Sequence, residues 1–136
     1  MKFKSDEVKK RWDESIKHPK LLPLLVDVQG FYEHLYHKEP VMTEASRTRE
    51  ETIAIYKDKA APMSPHEMIP LRAFDMRSSI LSEAENKQLE GIINKRWEYD
   101  ASRPDKKCCM YHRVGDNAYH LHFQVCDNTK FYGVKS

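Results

Sequence analysis

The strongest constraint on the fold is a pair of strand-like runs near the C-terminal end of the chain. They cover residues 108–114 and 119–125, and Gly115-Asp116-Asn117 separates them. The second run alternates polar and apolar side chains, which is typical of a strand that buries one face. Because a Gly-Asp-Asn connection favours a tight turn, the two runs predict an antiparallel β-hairpin.

The rest of the chain predicts four helices and two more short strands. Apolar residues at three- and four-residue spacing predict helices over residues 6–17 and 23–38. Capping-box patterns predict two more helix starts, Thr48 with Glu51 and Ser82 with Glu85, for helices over residues 49–59 and 83–99. Short strands are predicted over residues 41–45 and 72–76, with a proline-containing loop at 60–71 between the third helix and the second strand. This order predicts an α+β domain with a small antiparallel sheet and flanking helices.

Composition limits the classes of function. The 136 residues suit one domain, and 40% hydrophobic with 32% charged residues is typical of a folded globular chain. The net charge of +2 comes from interleaved acidic and basic residues, so we expect no nucleic-acid partner. No run approaches the roughly 20 apolar residues of a membrane helix, so we expect no membrane insertion.

The N-terminal segment and the cysteines both predict a chain made and kept in the cytoplasm. Residues 1–7 lack the apolar stretch of a signal peptide. Three cysteines are an odd number, and Cys108 and Cys109 are adjacent, which is poor geometry for a disulfide framework. We therefore predict that these cysteines pack in the interior as reduced thiols.

Two histidines on the last predicted strand suggest metal or acid–base chemistry. His120 and His122 are two residues apart, so on a strand both project from one face, about 7 Å apart. One could be a metal ligand while the other remains free to transfer protons. The same pattern also fits a half-buried polar face without a metal.

Two upstream residues complete a possible ligand set. His66 lies in the predicted loop and Asp75 on the predicted strand over residues 72–76. Imidazole and carboxylate are both normal zinc donors, and three protein ligands leave the fourth tetrahedral position open for water. Such an arrangement is typical of catalytic zinc, whereas structural zinc usually has four protein ligands.

Four segments, in order, give the chain a resemblance to a known family. They are Glu44-Ala45-Ser46-Arg47-Thr48-Arg49-Glu50-Glu51, Ser64-Pro65-His66, Arg72-Ala73-Phe74-Asp75 and His120-Leu121-His122-Phe123. The set resembles the D-alanyl-D-alanine carboxypeptidase/dipeptidase zinc peptidases, a group that includes phage L-alanyl-D-glutamate endolysins. The resemblance covers about residues 41–125. It implies a hedgehog/DD-peptidase-like fold in which N-terminal helices (1–40) precede a zinc-peptidase-like core (41–126) and a C-terminal tail (127–136).

The resemblance also assigns roles. It implies that His66, Asp75 and His122 hold zinc (Zn²⁺), and that His120 is the catalytic imidazole. Arg47 matches a strand-end arginine that approaches the substrate carboxylate and the developing oxyanion.

Three further residues complete the implied site. Ser64 matches a serine two residues before the first ligand histidine. Tyr119 and His112 are candidates to stabilise the oxyanion, and His112 could instead support the zinc ligands from the neighbouring strand. Structural roles without a catalytic function also fit these residues. Arg47 would then pair with a surface carboxylate, Ser64 would cap a turn and His112 would lie on the surface.

The function implied is zinc-dependent hydrolysis of short peptides that contain D-amino acids, such as peptidoglycan stem peptides. Action on the cell wall would then need another factor to release the protein. Two features depart from the family pattern: Asp75 is nine positions after His66, where about seven are usual, and Tyr119 occupies the position of a carboxylate base. A non-catalytic zinc-binding domain of the same fold and a metal-free interaction module are the alternatives.

Overall fold

A computed structural model describes residues 1–133, which are built around a five-stranded, mostly antiparallel sheet. The seven strands are β1 (Lys2–Phe3), β2 (Val41–Glu44), β3 (Ala73–Arg77), β4 (Trp97–Glu98), β5 (Cys109–His112), β6 (His120–Gln124) and β7 (Lys130–Phe131). The main sheet has the order β1-β2-β3-β6-β5, and only β1 and β2 are parallel. The other two strands, β4 and β7, form a small separate pair.

Four α-helices surround the sheet, as the α+β prediction requires. They are α1 (Asp6–Glu14), α2 (Leu21–Phe31), α3 (Arg49–Tyr56) and α4 (Glu83–Arg96), and α2 continues into a π-helical turn, Tyr32–Tyr36. The predicted α+β class is therefore confirmed. Both predicted capping boxes are present, because the Thr48 and Ser82 side chains each accept from a backbone N–H three residues on and the glutamate there reciprocates.

The end of α4 differs from the prediction. The helix was expected to reach residue 99, but it ends at Arg96, and Trp97 adopts an extended backbone. The indole N–H of Trp97 donates to Asp27 over 2.9 Å, and its ring packs 4.6 Å from that of Phe131. These long-range contacts outweigh the helical spacing of Trp97.

The two faces of the main sheet have opposite characters. One face carries apolar side chains that are fully buried against the helices, including Phe74, Met76, Leu121 and Phe123. Alternation places Asp75 and Arg77 of β3, and His120 and His122 of β6, on the other face. The antiparallel register sets Asp75 opposite His122 and Arg77 opposite His120.

Segments outside the predicted core also take part in this fold. Strand β1 pairs with β2, and β7 pairs with β4, so residues from 1–40 and from 127–136 are bonded to the same unit. Residues 134–136 of the predicted tail lie outside the described residues.

Over residues 1–133, no helix is both long enough and apolar enough to cross a membrane. Cys108, Cys109 and Cys126 are buried free thiols, which confirms the interior packing predicted for Cys108 and Cys109.

Candidate metal centre

Three side chains converge on the polar face of the sheet. One donor atom each from His66, Asp75 and His122 lies within 4.8 Å of the other two. Asp75 Oδ1 is 3.2 Å from His66 Nε2 and 2.9 Å from His122 Nδ1. The exposed fractions of His66, Asp75 and His122 are 2%, 4% and 7%, so the group lies inside the protein. Among residues 1–133, this is the one histidine, cysteine or carboxylate cluster with metal-binding geometry.

The backbone explains how distant residues meet here. Asp75 and His122 face each other because β3 and β6 pair in that register. His66 arrives from the loop, which is held against the end of β2 by a backbone bond from Arg47 N to His66 O of 2.9 Å. The Ser64 hydroxyl accepts from the His66 N–H over 3.2 Å and closes the turn. The nine-residue separation of His66 and Asp75 is thereby accommodated.

The outer ring nitrogens of both histidines face carbonyl oxygens. His66 Nδ1 is 2.6 Å from Ala45 O, and His122 Nε2 is 2.9 Å from Gln124 Oε1. Since a carbonyl oxygen only accepts hydrogen bonds, each outer nitrogen must carry a proton. The inner nitrogens, His66 Nε2 and His122 Nδ1, are thus the ones turned towards Asp75.

This donor set fits a zinc ion. Zinc–ligand bonds of about 2.0–2.1 Å in a tetrahedron place neighbouring donors roughly 3.3 Å apart, close to the observed separations from Asp75 Oδ1. The alternative is that both inner nitrogens are also protonated, which would bury two imidazolium ions around one carboxylate. A single divalent cation satisfies the same three lone pairs without two buried protons.

The electrostatics of the cluster also favour a cation between the three side chains. Burial alone would lower the pKa of His66, but the Asp75 carboxylate outweighs this effect and raises it. Burial would likewise raise the pKa of Asp75, yet the two imidazoles hold it well below its usual range. The carboxylate is therefore ionised, and it attracts positive charge to the donor atoms around it.

Two more histidines extend this polar face. His120 Nε2 lies 3.6 Å from Asp75 Oδ2, the carboxylate oxygen turned away from the other two imidazoles. His112 is opposite His120 in the β5–β6 register, with ring centroids 4.8 Å apart. Burial, with the neighbouring His120 and His122, lowers the pKa of His112. His120 is more exposed than the three donors, so it can reach solvent and a bound molecule.

Arg47 and Ser64 lie beside the donor set, but Arg47 is already partnered. Its Nε and Nη2 donate to the two carboxylate oxygens of Glu44 over 2.7 and 2.6 Å. Nη1 donates to the Ser64 hydroxyl over 3.4 Å. Of the five guanidinium N–H groups, two have no partner among the described residues. Arg47 can therefore bind one more acceptor while it keeps its bond to Glu44.

Tyr119 is not brought to the donor set. Its side chain is half-exposed, its ring packs 5.1 Å from that of Tyr111, and the guanidinium of Arg113 lies 5.4 Å from it. Within residues 1–133, no hydrogen bond or ion pair joins the Tyr119 side chain to His66, Asp75 or His122. Tyr119 belongs to the rim of the cleft, because it ends the loop that precedes β6.

A cleft of about 680 Å³ opens over the donor set. Its lining contains all of the predicted site residues, with Glu44 and Asp75 as the two carboxylates on its walls. Three cations besides Arg47 line it, namely Lys4, Arg77 and Lys106. A larger groove of about 980 Å³ runs along α2, but its walls are mostly apolar and hold no converging donors.

Sequence reasoning missed two side chains of the site. Gln124 lies two residues after His122 on β6, so the alternation that selected His120 and His122 also places Gln124 on their face. Glu44 lies three residues before Arg47, a spacing that permits an ion pair, and the β2–β3 register places it opposite Asp75. Ala45 contacts His66 through its main-chain oxygen, and a pattern of side chains in the sequence does not reveal such a contact.

Comparison with known proteins adds no relative: no family model, no curated protein and no solved structure matches the chain.

Proposed function

We propose that the protein is a zinc-dependent peptidase that hydrolyses short peptides containing D-amino acids, such as peptidoglycan stem peptides. The observation that carries this proposal is the buried His66, Asp75 and His122 donor set at the floor of an open cleft. Three protein donors leave one zinc position for water or substrate. His120, whose Nε2 lies 3.6 Å from Asp75 Oδ2, supplies a proton-transfer group outside the ligand set.

The proposed fold is the hedgehog/DD-peptidase-like one. Support comes from the order of the ligands along the chain, which is a loop histidine, a strand aspartate and a histidine on the antiparallel neighbouring strand. The helix that follows the Arg47 segment and begins at a capping box also matches the pattern of that family.

His120 would be the general base and acid of the reaction. Bound zinc supplies Lewis-acid activation of water and of the scissile carbonyl. The His120 imidazole would accept a proton from the attacking water and later return it to the leaving amine. Its edge contact with His112 limits rotation of the ring, so the proton moves within a fixed geometry.

Arg47 would bind the carboxylate of the substrate. Arg47 lines the cleft and has two N–H groups without a partner among the described residues, and its two bonds to Glu44 fix the orientation of the guanidinium. A guanidinium held this way can also stabilise the oxyanion that develops on the carbonyl. Ser64 supports this role, because its hydroxyl contacts both Arg47 and the His66 backbone.

The proposal is tested with zinc-loaded protein and defined peptides. We expect hydrolysis of peptides with a D-residue at the scissile bond and none of their all-L counterparts. His120→Gln should lose about 100- to 10,000-fold in kcat with unchanged zinc content. His34→Gln is the matched control, since His34 is exposed on the π-helical turn. Zinc-loaded protein that cleaves none of these peptides would contradict the proposal.

A non-catalytic zinc domain is the second candidate, and one observation favours it. The two carboxylates on the cleft walls are both engaged, Asp75 with the histidines and Glu44 with Arg47. A carboxylate base is therefore not available beside the donor set within residues 1–133. Zinc binding that raises the melting temperature, without hydrolysis of any peptide, would favour this second function.

A further inference from the structure

We infer that Gln124 is a positioning residue that selects which nitrogen of His122 binds the metal, with the main-chain oxygen of Lys107 as its anchor. The inference rests on the zinc site proposed above and deepens it. Gln124 is buried on β6, two residues beyond His122 and on the same face of the sheet. It therefore meets His122 from the side opposite Asp75.

The orientation of the Gln124 amide follows from its two partners. Its Nε2 donates to Lys107 O over 2.8 Å, and its Oε1 faces His122 Nε2 at 2.9 Å. The reverse orientation would place the amide oxygen against the Lys107 carbonyl oxygen, where neither atom has a proton to donate. The backbone oxygen therefore forces the amide oxygen towards His122.

The amide oxygen in turn fixes the tautomer of His122. Because Oε1 can only accept, His122 carries its proton on Nε2, and the lone pair of Nδ1 points towards Asp75. A chain of two hydrogen bonds thus connects the Lys107 backbone to the donor atom. Removing a hydrogen bond that orients a metal-binding imidazole commonly weakens metal affinity by about 10- to 100-fold.

His66 and His122 carry their ring protons on different nitrogens. Ala45 O holds the proton of His66 on Nδ1, which leaves Nε2 as the donor, whereas Gln124 holds the proton of His122 on Nε2. A backbone carbonyl supplies the first contact directly. The second contact comes from a side chain, the amide of Gln124.

Substitution tests the inference through zinc affinity. Gln124→Met keeps the length of the side chain and removes both hydrogen bonds, so we expect the zinc Kd to rise by about 10- to 100-fold. Gln88→Met is the control for the substitution itself, because Gln88 lies on α4, away from the cleft, and accepts a hydrogen bond from the Tyr36 hydroxyl.

A nuclear magnetic resonance measurement of the histidine ring nitrogens gives a readout that a purely structural role would not move. In zinc-loaded wild-type protein we expect a proton on His122 Nε2 and metal on Nδ1, and the reverse assignments for His66. Gln124→Met should show mixed coordination of His122. Metal on Nε2 of His122 in the wild type, or a Gln124→Met Kd equal to that of Gln88→Met, would overturn the inference.

The same measurements separate this inference from the proposed function. If the wild type binds zinc through His122 Nδ1 but hydrolyses no peptide, the peptidase proposal fails and the role of Gln124 stands. If the wild type binds no zinc, the zinc site fails, and the metal-free spectrum still decides whether Gln124 fixes the proton on His122 Nε2. The wild-type spectrum also keeps the test valid if Gln124→Met does not fold.

Discussion

Asp75 is the residue on which the chemistry of the site depends. Its Oδ1 contacts both buried imidazoles, and its Oδ2 faces His120. A buried carboxylate is costly unless it is paired and hydrogen-bonded, and these three histidines supply that pairing. In the proposed zinc site this charge pattern would make zinc binding depend on pH, because zinc must displace protons that the carboxylate attracts.

The first prediction concerns this pH dependence. Burial lowers the pKa of His66, but Asp75 raises it by more. The folded metal-free protein therefore keeps a proton on the His66 imidazole at pH values above the ordinary histidine pKa of about 6.5. We expect the zinc Kd to rise by about tenfold for each pH unit below that raised pKa, for one displaced proton. Competition with a chelator of known affinity between pH 8 and pH 5.5 measures it.

The sign of the stability effect follows from the same shift. A raised folded-state pKa stabilises the metal-free fold below about pH 6.5, and this contribution is lost as the pH rises through the raised value. Zinc binding shows the opposite trend, so the increase in melting temperature on zinc addition should be larger at pH 8 than at pH 6. A zinc Kd that is constant between pH 8 and pH 5.5 would exclude His66 as a ligand. The control variant His34→Ala should show the same pH dependence of the zinc Kd as the wild type.

The donor residues could be anticipated from sequence, but their surroundings could not. His66, Asp75 and His122 carry recognisable side chains in a recognisable order. Glu44 and Gln124 are ordinary polar residues whose roles depend partly on partners distant in sequence, Asp75 and Lys107. Tyr119 was expected near the reaction, yet it precedes β6 and stacks on Tyr111 at the rim.

At the scale of elements, local signals predicted well and long-range pairings did not. The hairpin of β5 and β6 and the caps of α3 and α4 depend on neighbouring residues, and all of these were predicted. Strands β1 and β7 each have two residues, which is too short for any periodicity. The existence of each is determined by its partner strand, β2 or β4.

The second prediction tests the unexpected β4–β7 pair. Phe131 packs on Trp97, and the Arg96 guanidinium lies 5.4 Å from its ring. Phe131→Ala should lower the free energy of unfolding by about 1 kcal/mol through loss of these ring contacts. Zinc affinity should not change, because this pair lies outside the main sheet. Chemical denaturation together with zinc titration measures both quantities.

Tyr56→Ala is the control for this prediction, because Tyr56 is about equally exposed but has no ring partner within residues 1–133. Its unfolding free energy should stay within about 0.5 kcal/mol of the wild type. Equal stabilities of the two variants would show that the β4–β7 contact does not hold the end of α4.

At the scale of the whole molecule, the apolar face of the sheet forms the core and its polar face forms the site. The same strands thus serve stability and chemistry, with Phe74 and Phe123 stacked on one side and Asp75 and His122 paired on the other. Cys109, opposite Phe123 in the β5–β6 register, lies on the apolar side, and burial controls the reactivity of all three cysteines.

The third prediction is that the native protein has no reactive thiol. Cys108, Cys109 and Cys126 are all buried, and burial raises the pKa of Cys108 to about 12 and that of Cys109 well above its usual value. Because the thiolate is the reactive form, a thiol reagent at pH 8 should label the native protein slowly. Unfolded protein should give three thiols per chain. A rapidly labelled thiol in the native state would contradict the buried packing of these residues.

The central claim, a zinc site at His66, Asp75 and His122, is tested most directly by elemental analysis of purified, untagged protein. We expect about one zinc per chain in the wild type after reconstitution, and loss of that zinc in Asp75→Ala. Asp105→Ala is the matched control, since Asp105 lies in a turn outside the donor set, and it should retain zinc. A wild-type protein that binds no zinc, or an Asp75→Ala variant that keeps it, would contradict the account.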